Sequence, residues 1–450
     1  MVRSRAFVGV VSFLVFPAYL SAQPRIFLSP PYERALDTNF VAISWRTLLA
    51  GDSRVRYGLT ESLEIGEVVD ATMTTQHELT LTGLSPATLY VVQFSSSDAN
   101  GTSTGPLFTV GTASPASSTG AINVYFNKSV EANLAADEVA PGNQRLDLHL
   151  IDRIDSARYS IDVCLYNISG SVGAQVANAL VNAMSNRDVK IRVITEQDNR
   201  SHAPFGTLSS SGIPVITDTF GSDGSGIMHN KFVVFDYRDR EDSSVASAAD
   251  DWVWTGSWNA TDSGTFDDLQ DVIEVQDQAL AGAYTREFEE MWGSSTEVPD
   301  PSRSQFGDRK TDNTPHVFRV GGRDLQLYFS PSDGTSAQIF LTLQKAQKSV
   351  AFSLLLITDN NLANTLLAKR QAGLKVRGVL DDDDASVGGD FDLLKQNGVD
   401  VFLDPNPGLL HHKYVIVDAE YPELSPWLVA GSHNWTASAD TKNDENTLLI

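Results

Sequence analysis

Two segments of this chain carry the same spacing. Met228-His229-Asn230-Lys231 runs through an apolar stretch to Asp236, and His411-His412-Lys413 runs through another to Asp418, each reading H-x-K-x-x-x-x-D. Each is followed by Gly-Ser-x-Asn, as Gly256-Ser257-Trp258-Asn259 and Gly431-Ser432-His433-Asn434. A doubled motif with a doubled follower constrains the fold to two copies of one unit.

The runs 232–235 and 414–417 are rich in β-branched and aromatic residues, hence strand-like, and residues two apart on a strand share a face. His229 and Lys231 therefore point the same way, as do His411 and Lys413. Asp236 and Asp418 lie an odd seven positions after their histidines and face away, which gives them a structural role. An imidazole and an ammonium on one face, joined by Ser257, Ser432, Asn259 and Asn434, form a site for a tetrahedral oxyanion. Two facing copies suit a phosphodiester. One neutral imidazole attacks phosphorus, the other gives a proton to the departing alkoxide, and water releases the phosphohistidine. The scheme requires no metal and no cofactor.

These residues resemble the phospholipase D superfamily over residues 121–450. The resemblance implies an α/β fold of two αβα lobes related by pseudo-twofold symmetry, with His229 and His411 meeting at the interface. It further implies a monomer with both half-sites in one chain. Members of the superfamily usually place the nucleophile in the first half, which makes His229 the nucleophile and His411 the acid; the residues alone leave that order open.

An attacking imidazole works best when its second nitrogen donates to an acceptor. Asn443-Asp444-Glu445-Asn446 resembles the family's Asn-x-Glu-Asn ending and offers Glu445 to His411. The matching place in the first half holds Gln270, a departure from the pattern, so Asp271, one residue on, is expected to serve His229. His412 and His433 are expected to line the pocket. The run Asp381-Asp382-Asp383-Asp384 is read as a solvated loop rather than a metal site.

The flanking regions read differently. Residues 1–22, with Arg3 and Arg5 before an apolar run and small residues at the end, read as a signal peptide; a membrane anchor is the alternative, and export follows from the first. Residues 24–112 alternate short strand-like runs with turns, predicting an all-β sandwich. Trp45 as a core residue and Tyr90 in a tyrosine-corner position resemble a fibronectin type III module. Residues 113–120 form a Ser/Pro/Gly/Ala linker. Residues 121–295 and 314–450 are the two lobes, and the polar stretch 293–313 joins them.

Within each lobe strands alternate with helices, predicting a substantially parallel sheet. The glycine-rich tract 220–226 reads as a connector, and Cys164, in an apolar strand, as a buried thiol. An amphipathic helix with Leu280, Tyr284, Phe288, Met291 and Trp292 on one face ends the first lobe and has no counterpart after Ile450. A fragment or a natural minimal form is therefore expected.

The net charge of −24 disfavours polyanion binding unless a local basic groove overrides it. The leading expectation is a secreted phospholipase D acting on phospholipid at a membrane or vesicle surface. A metal-independent endonuclease, with nucleic acid as substrate, is the second, because the tail 431–446 resembles the superfamily's bacterial endonucleases. A non-catalytic extracellular binding protein is the third.

Overall fold

The computed structural model describes residues 27–134, 139–221, 225–241, 246–383 and 387–450. The segment 1–22, residues 222–224 of the glycine-rich tract and Asp384 lie outside the described residues. No helix among the described residues is long and apolar enough to cross a membrane.

Five strands open the fold: β1 (Phe27–Asp37), β2 (Phe40–Gly58), β3 (Gly66–Thr82), β4 (Leu89–Asp98) and β5 (Gly101–Gly111). Hydrogen bonding joins them into one sheet, β1-β2-β4-β5 with β3 on β2, where two separate sheets were expected. The reason lies in β2. Its register against β3 slips between Arg46 and Ser53, and such bulges bend a strand. Its first part pairs with β1 and its last part with β4. Val41, Ile43 and Trp45 are thereby buried with Val92 and Phe94. The Tyr90 hydroxyl accepts the Ser85 N–H at 2.9 Å.

Next come β6 (Ile122–Phe126), β7 (Ser160–Leu165), β8 (Lys190–Thr195), β9 (Val215–Thr217), β10 (Lys231–Phe235), β11 (Trp252–Gly256) and β12 (Asp271–Gln276). They form a sheet in the order β6-β12-β11-β10-β7-β8-β9. A second sheet holds β13 (Val317–Val320), β14 (Arg323–Ser330), β15 (Ser349–Leu354), β16 (Lys375–Leu380), β17 (Asp400–Leu403), β18 (Lys413–Val417), β19 (Trp427–Gly431) and β20 (Glu445–Leu449). Its order is β13-β14-β20-β19-β18-β15-β16-β17, so beyond β13 every strand has its counterpart in the first sheet.

Both sheets are mixed, not substantially parallel. Only β7-β8-β9 and β15-β16-β17 run parallel. The strands carrying the repeated motifs return as antiparallel neighbours, β10 on β7 and β11, and β18 on β15 and β19. Helices connect the parallel strands, whereas loops suffice for antiparallel ones.

The helix Gln278–Trp292 is buried almost all round rather than on one face. Tyr284 packs edge-on to Phe232 of β10 and Phe329 of β14, so both sheets close on it. The polar stretch behind it is no loose tether. Lys310 is fully buried, donating to the Ser330 carbonyl at 2.8 Å and pairing with Glu287 and Asp444.

Candidate active site

The repeated motifs sit at the inner ends of β10 and β18, where the sheets meet. Two short parallel bridges link the lobes there, Met228 with Asp444 and Leu269 with Leu410. Each histidine N–H is held by the opposite lobe: His229 N donates to Asp444 O and His411 N to Leu269 O, both at 3.0 Å. This crossing sets the side-chain partners.

His229 Nδ1 lies 2.8 Å from Glu445 Oε2. His411 Nδ1 lies 3.0 Å from both the Ser257 carbonyl and Gln270 Oε1. The expected assignments of Glu445 to His411 and Asp271 to His229 are therefore reversed in lobe and partly in residue. Glu445 serves His229, and Asp271 serves His412, with Oδ1 2.6 Å from its Nδ1. The physical reason is the bridge register, which carries each lobe's last strand to the other lobe's histidine. One position on, the rule repeats: Asn446 Nδ2 donates to Asn230 at 3.1 Å where Asp271 meets His412.

With Nδ1 engaged on both rings, each Nε2 is the nitrogen left for chemistry. Lys231 Nζ donates to the His229 carbonyl at 2.9 Å, and Lys413 Nζ to the His411 carbonyl at 2.6 Å. One of three ammonium donors is so committed and two remain for an anion. Both lysines and both histidines are buried and close enough for their charges to interact.

The serines do something other than expected. Ser257 Oγ donates to Gln270 Oε1 at 2.8 Å and accepts the Asp271 N–H at 3.0 Å, while Ser432 Oγ accepts the Asn446 N–H at 3.0 Å. They brace the partners of the histidines. The glycines before them sit at φ +142 and +148, where a Cβ would meet the carbonyl of Asp271 at 2.4 Å or of Asn446 at 2.2 Å. Only glycine lets the two strands approach this closely.

Among the described residues, Asn259 Oδ1, Asn434 Oδ1, Gln270 Nε2 and Glu445 Oε1 are buried without a hydrogen-bond partner, as are both ring nitrogens of His433. Buried polar atoms without partners mark a place for a polar ligand. Asp236 and Asp418 lie apart from it. Both adopt positive φ, and their carboxylates accept the N–H groups of residues 158–160 and 347–349.

Burial, reinforced by Lys231 and Lys413, holds His229 well below the ordinary histidine range. His411 is lowered likewise by burial, Lys413 and Lys231. Burial drives Lys231 well below the usual lysine range and Lys413 down to about 7. Burial raises Glu445 to about 7 against the pull of Lys231, His433 and Lys413. Burial thus favours the neutral form of both imidazoles and weakens the charge of both lysines. An arriving phosphate favours the charged forms again.

Sequence reasoning passed over Tyr166, whose ring stands edge-on to His229 at 5.0 Å and lies 5.0 Å from Lys231 Nζ. It gave Lys310 no role either. Among the described residues, ligand atoms of Asp381, Asp382 and Asp383 lie within reach of one another, as do those of Asp312, His316 and Asp333. Asp381 is engaged elsewhere, since its Oδ2 accepts the Leu410 N–H.

Two converging H-x-K strands with crossed imidazole partners define the class, a paired-histidine phosphate site. The chain belongs to the phospholipase D-like family: the family model described as "Cardiolipin synthase, PLD-like domain" matches residues 150–292 and 339–450. The chain is 30% identical over 135 residues to a phospholipase D of Rickettsia typhi, covering 30% of this chain and 63% of that protein. It is 32% identical over 134 residues to a mitochondrial cardiolipin hydrolase of Chlamydomonas reinhardtii, covering 29% and 57%. It thus spans less than two thirds of either relative. A phosphatidylserine synthase from Haemophilus influenzae Rd KW20 aligns at a TM-score of 0.48 and 11% identity, covering 68% of this chain and 79% of that one.

Proposed function

We propose that the protein is a metal-independent phosphodiesterase that hydrolyses phospholipid head groups through a phosphohistidine on His229. The observation that carries this is the unequal partnering of the two rings, a carboxylate on His229 and a neutral amide on His411. A carboxylate stabilises the imidazolium character that builds up on an attacking ring and remains in the phosphohistidine. His229 Nε2 attacks phosphorus in line with the departing alkoxide. His411 Nε2, charged once the phosphate has arrived, protonates that alkoxide. The neutral His411 then takes a proton from water as the water attacks the phosphohistidine. Lys231, Lys413, Asn259 and Asn434 hold the non-bridging oxygens.

Phospholipid is the substrate class most in keeping with the phospholipase D and cardiolipin hydrolase names of the relatives and with a net charge of −24. In this reading the lobes are related by a pseudo-twofold axis, the five-stranded unit is a fibronectin type III-like accessory, and the protein is exported as a monomer. The test is a parallel assay, in chelator, on phosphatidylcholine vesicles and on single- and double-stranded DNA, with H229A and H411A as controls. Release of choline or phosphatidic acid that both variants abolish is the expected result. DNA cleavage lost in the same variants, with vesicles untouched, overturns the lipid assignment.

A further inference from the structure

Each candidate catalytic histidine follows a residue whose main-chain N–H is buried and outside the sheet ladders, at Met228 and Leu410. The two groups find their acceptors in the same manner. Met228 N donates to Glu196 Oε2 at 2.7 Å, and Leu410 N to Asp381 Oδ2 at 2.5 Å. Glu196 is the first residue after β8, and Asp381 is the first after β16. Those strands hold the same place in their sheets.

The next N–H along belongs to the histidine and is held by the opposite lobe, through Asp444 O or Leu269 O. Each imidazole thus hangs from two consecutive N–H groups, one fixed within its own lobe and one from across the interface. The carboxylate fixes the chain's height along its own sheet, and the carbonyl fixes it against the partner. Reaction rates fall steeply when a reacting atom is displaced by an ångström, so such a clamp bears on chemistry more than on binding.

The two carboxylates are not equally placed. Burial and neighbouring Asp218 push Glu196 up to about 8, and the oxygen facing Met228 accepts whether or not the other bears a proton. Asp381 is raised by burial, and its second oxygen takes the Asp383 N–H at 3.0 Å.

We propose that Glu196 and Asp381 are positioning residues, each setting its lobe's histidine against the phosphate through one main-chain N–H: Glu196 for attack by His229, Asp381 for proton donation by His411. The proposal rests on the paired-histidine reading of the site. An amide oxygen accepts this hydrogen bond as well as a carboxylate oxygen does, so E196Q and D381N separate the acceptor from its charge.

The experiment compares E196A, E196Q, D381A and D381N on two diesters, one leaving as p-nitrophenolate and one as an unactivated alkoxide. E196A is expected to lower kcat about 10- to 100-fold on both, with KM changed less than about twofold. D381A is expected to slow the single-turnover release of the alkoxide but not of p-nitrophenolate, which departs without a proton, while its kcat falls on both diesters because His411 also takes the proton of the attacking water. E196Q and D381N recover most of the rate. Equal losses of both alanine variants in the single-turnover release of both leaving groups, tracking their melting temperatures, overturn the proposal. So does wild-type kcat in either alanine variant, or failure of the amides to recover it.

Orthovanadate titration by calorimetry gives a readout independent of turnover. If the wild-type protein cleaves neither diester, the phosphodiesterase reading fails. Positioning then stands only if E196A and D381A weaken vanadate binding about tenfold and the amide variants restore it.

Discussion

The two histidines are chemically unequal because their partners are. Glu445 can carry charge and Gln270 cannot, and burial favours the neutral form of both rings. An anion bound between Lys231 and Lys413 reverses that balance, so binding must draw protons from solution. Calorimetry with vanadate in buffers of different ionisation enthalpy should show uptake of about one proton per chain, reduced in H411A. Lys413, lowered to about 7, adds a pH limb. A lysine is charged below its pKa, so kcat/KM should fall as pH rises through about 7. K413R, always charged, should push that limb upward even where its absolute rate is lower. At this scale the sequence was informative where residues are contiguous: Lys231 and Lys413 open β10 and β18, and His229 and His411 lie two residues before them. The partners were misassigned because Glu445 and Gln270 reach their rings across the lobe interface, and spacing along one strand carries no record of register between two.

At the level of elements, the repeated Gly-Ser-x-Asn turns are where backbone and site are most tightly coupled. Gly431 lies at positive φ with the Asn446 carbonyl where a side chain would stand, and Asn446 follows Glu445, the partner of His229. G431A should cost about 1–3 kcal/mol in denaturant unfolding and lower kcat by displacing Glu445, whereas alanine at exposed Gly388, also at positive φ but with nothing within 4 Å of its Cβ, should leave kcat intact. Wild-type kcat in a destabilised G431A would show that the turn serves folding alone. The alternation of strands and helices in the first part of each lobe could be read from apolar runs. Strand direction could not, since the alternation that predicts a parallel sheet ends at β9 and β17. The helix Gln278–Trp292 likewise looked one-sided because Ala279, Ala281, Gly282 and Ala283 are small. Smallness is what lets a helix be enclosed by two sheets.

Across the whole molecule, the five-stranded unit is seated on both lobes, through Arg240 donating to the Ala87 carbonyl at 2.6 Å on the first and through a charged seat on the second. His316, just before β13, stacks on Tyr328 and donates from Nδ1 to the Leu327 carbonyl at 2.9 Å, with Asp312 3.1 Å from Nε2. Asp333 lies beyond at 4.0 Å, and Glu33 of β1 faces the same cluster. Burial pulls His316 down, but Asp312, Asp333 and Glu33 together lift it to about 9, while burial raises Glu33 to about 7. A group whose pKa is raised by folding stabilises fully below its unfolded value and loses that contribution as pH rises through its folded one. For His316 the window runs from about 6.5 to about 9, and for Glu33 from about 4.5 to about 7. The contribution of these two groups to the melting temperature should therefore decline from acid toward alkaline pH. H316N should flatten the upper part of the decline and E33Q the lower, both measured by scanning calorimetry. Wild-type and H316N curves that stay parallel between pH 6.5 and 9 would mean that the charge of His316 does not seat the unit and that other contacts, such as Arg240 on the Ala87 carbonyl, do. A flattened curve would instead make the seat an imidazolium held among three carboxyl groups, its contribution fully present in acid.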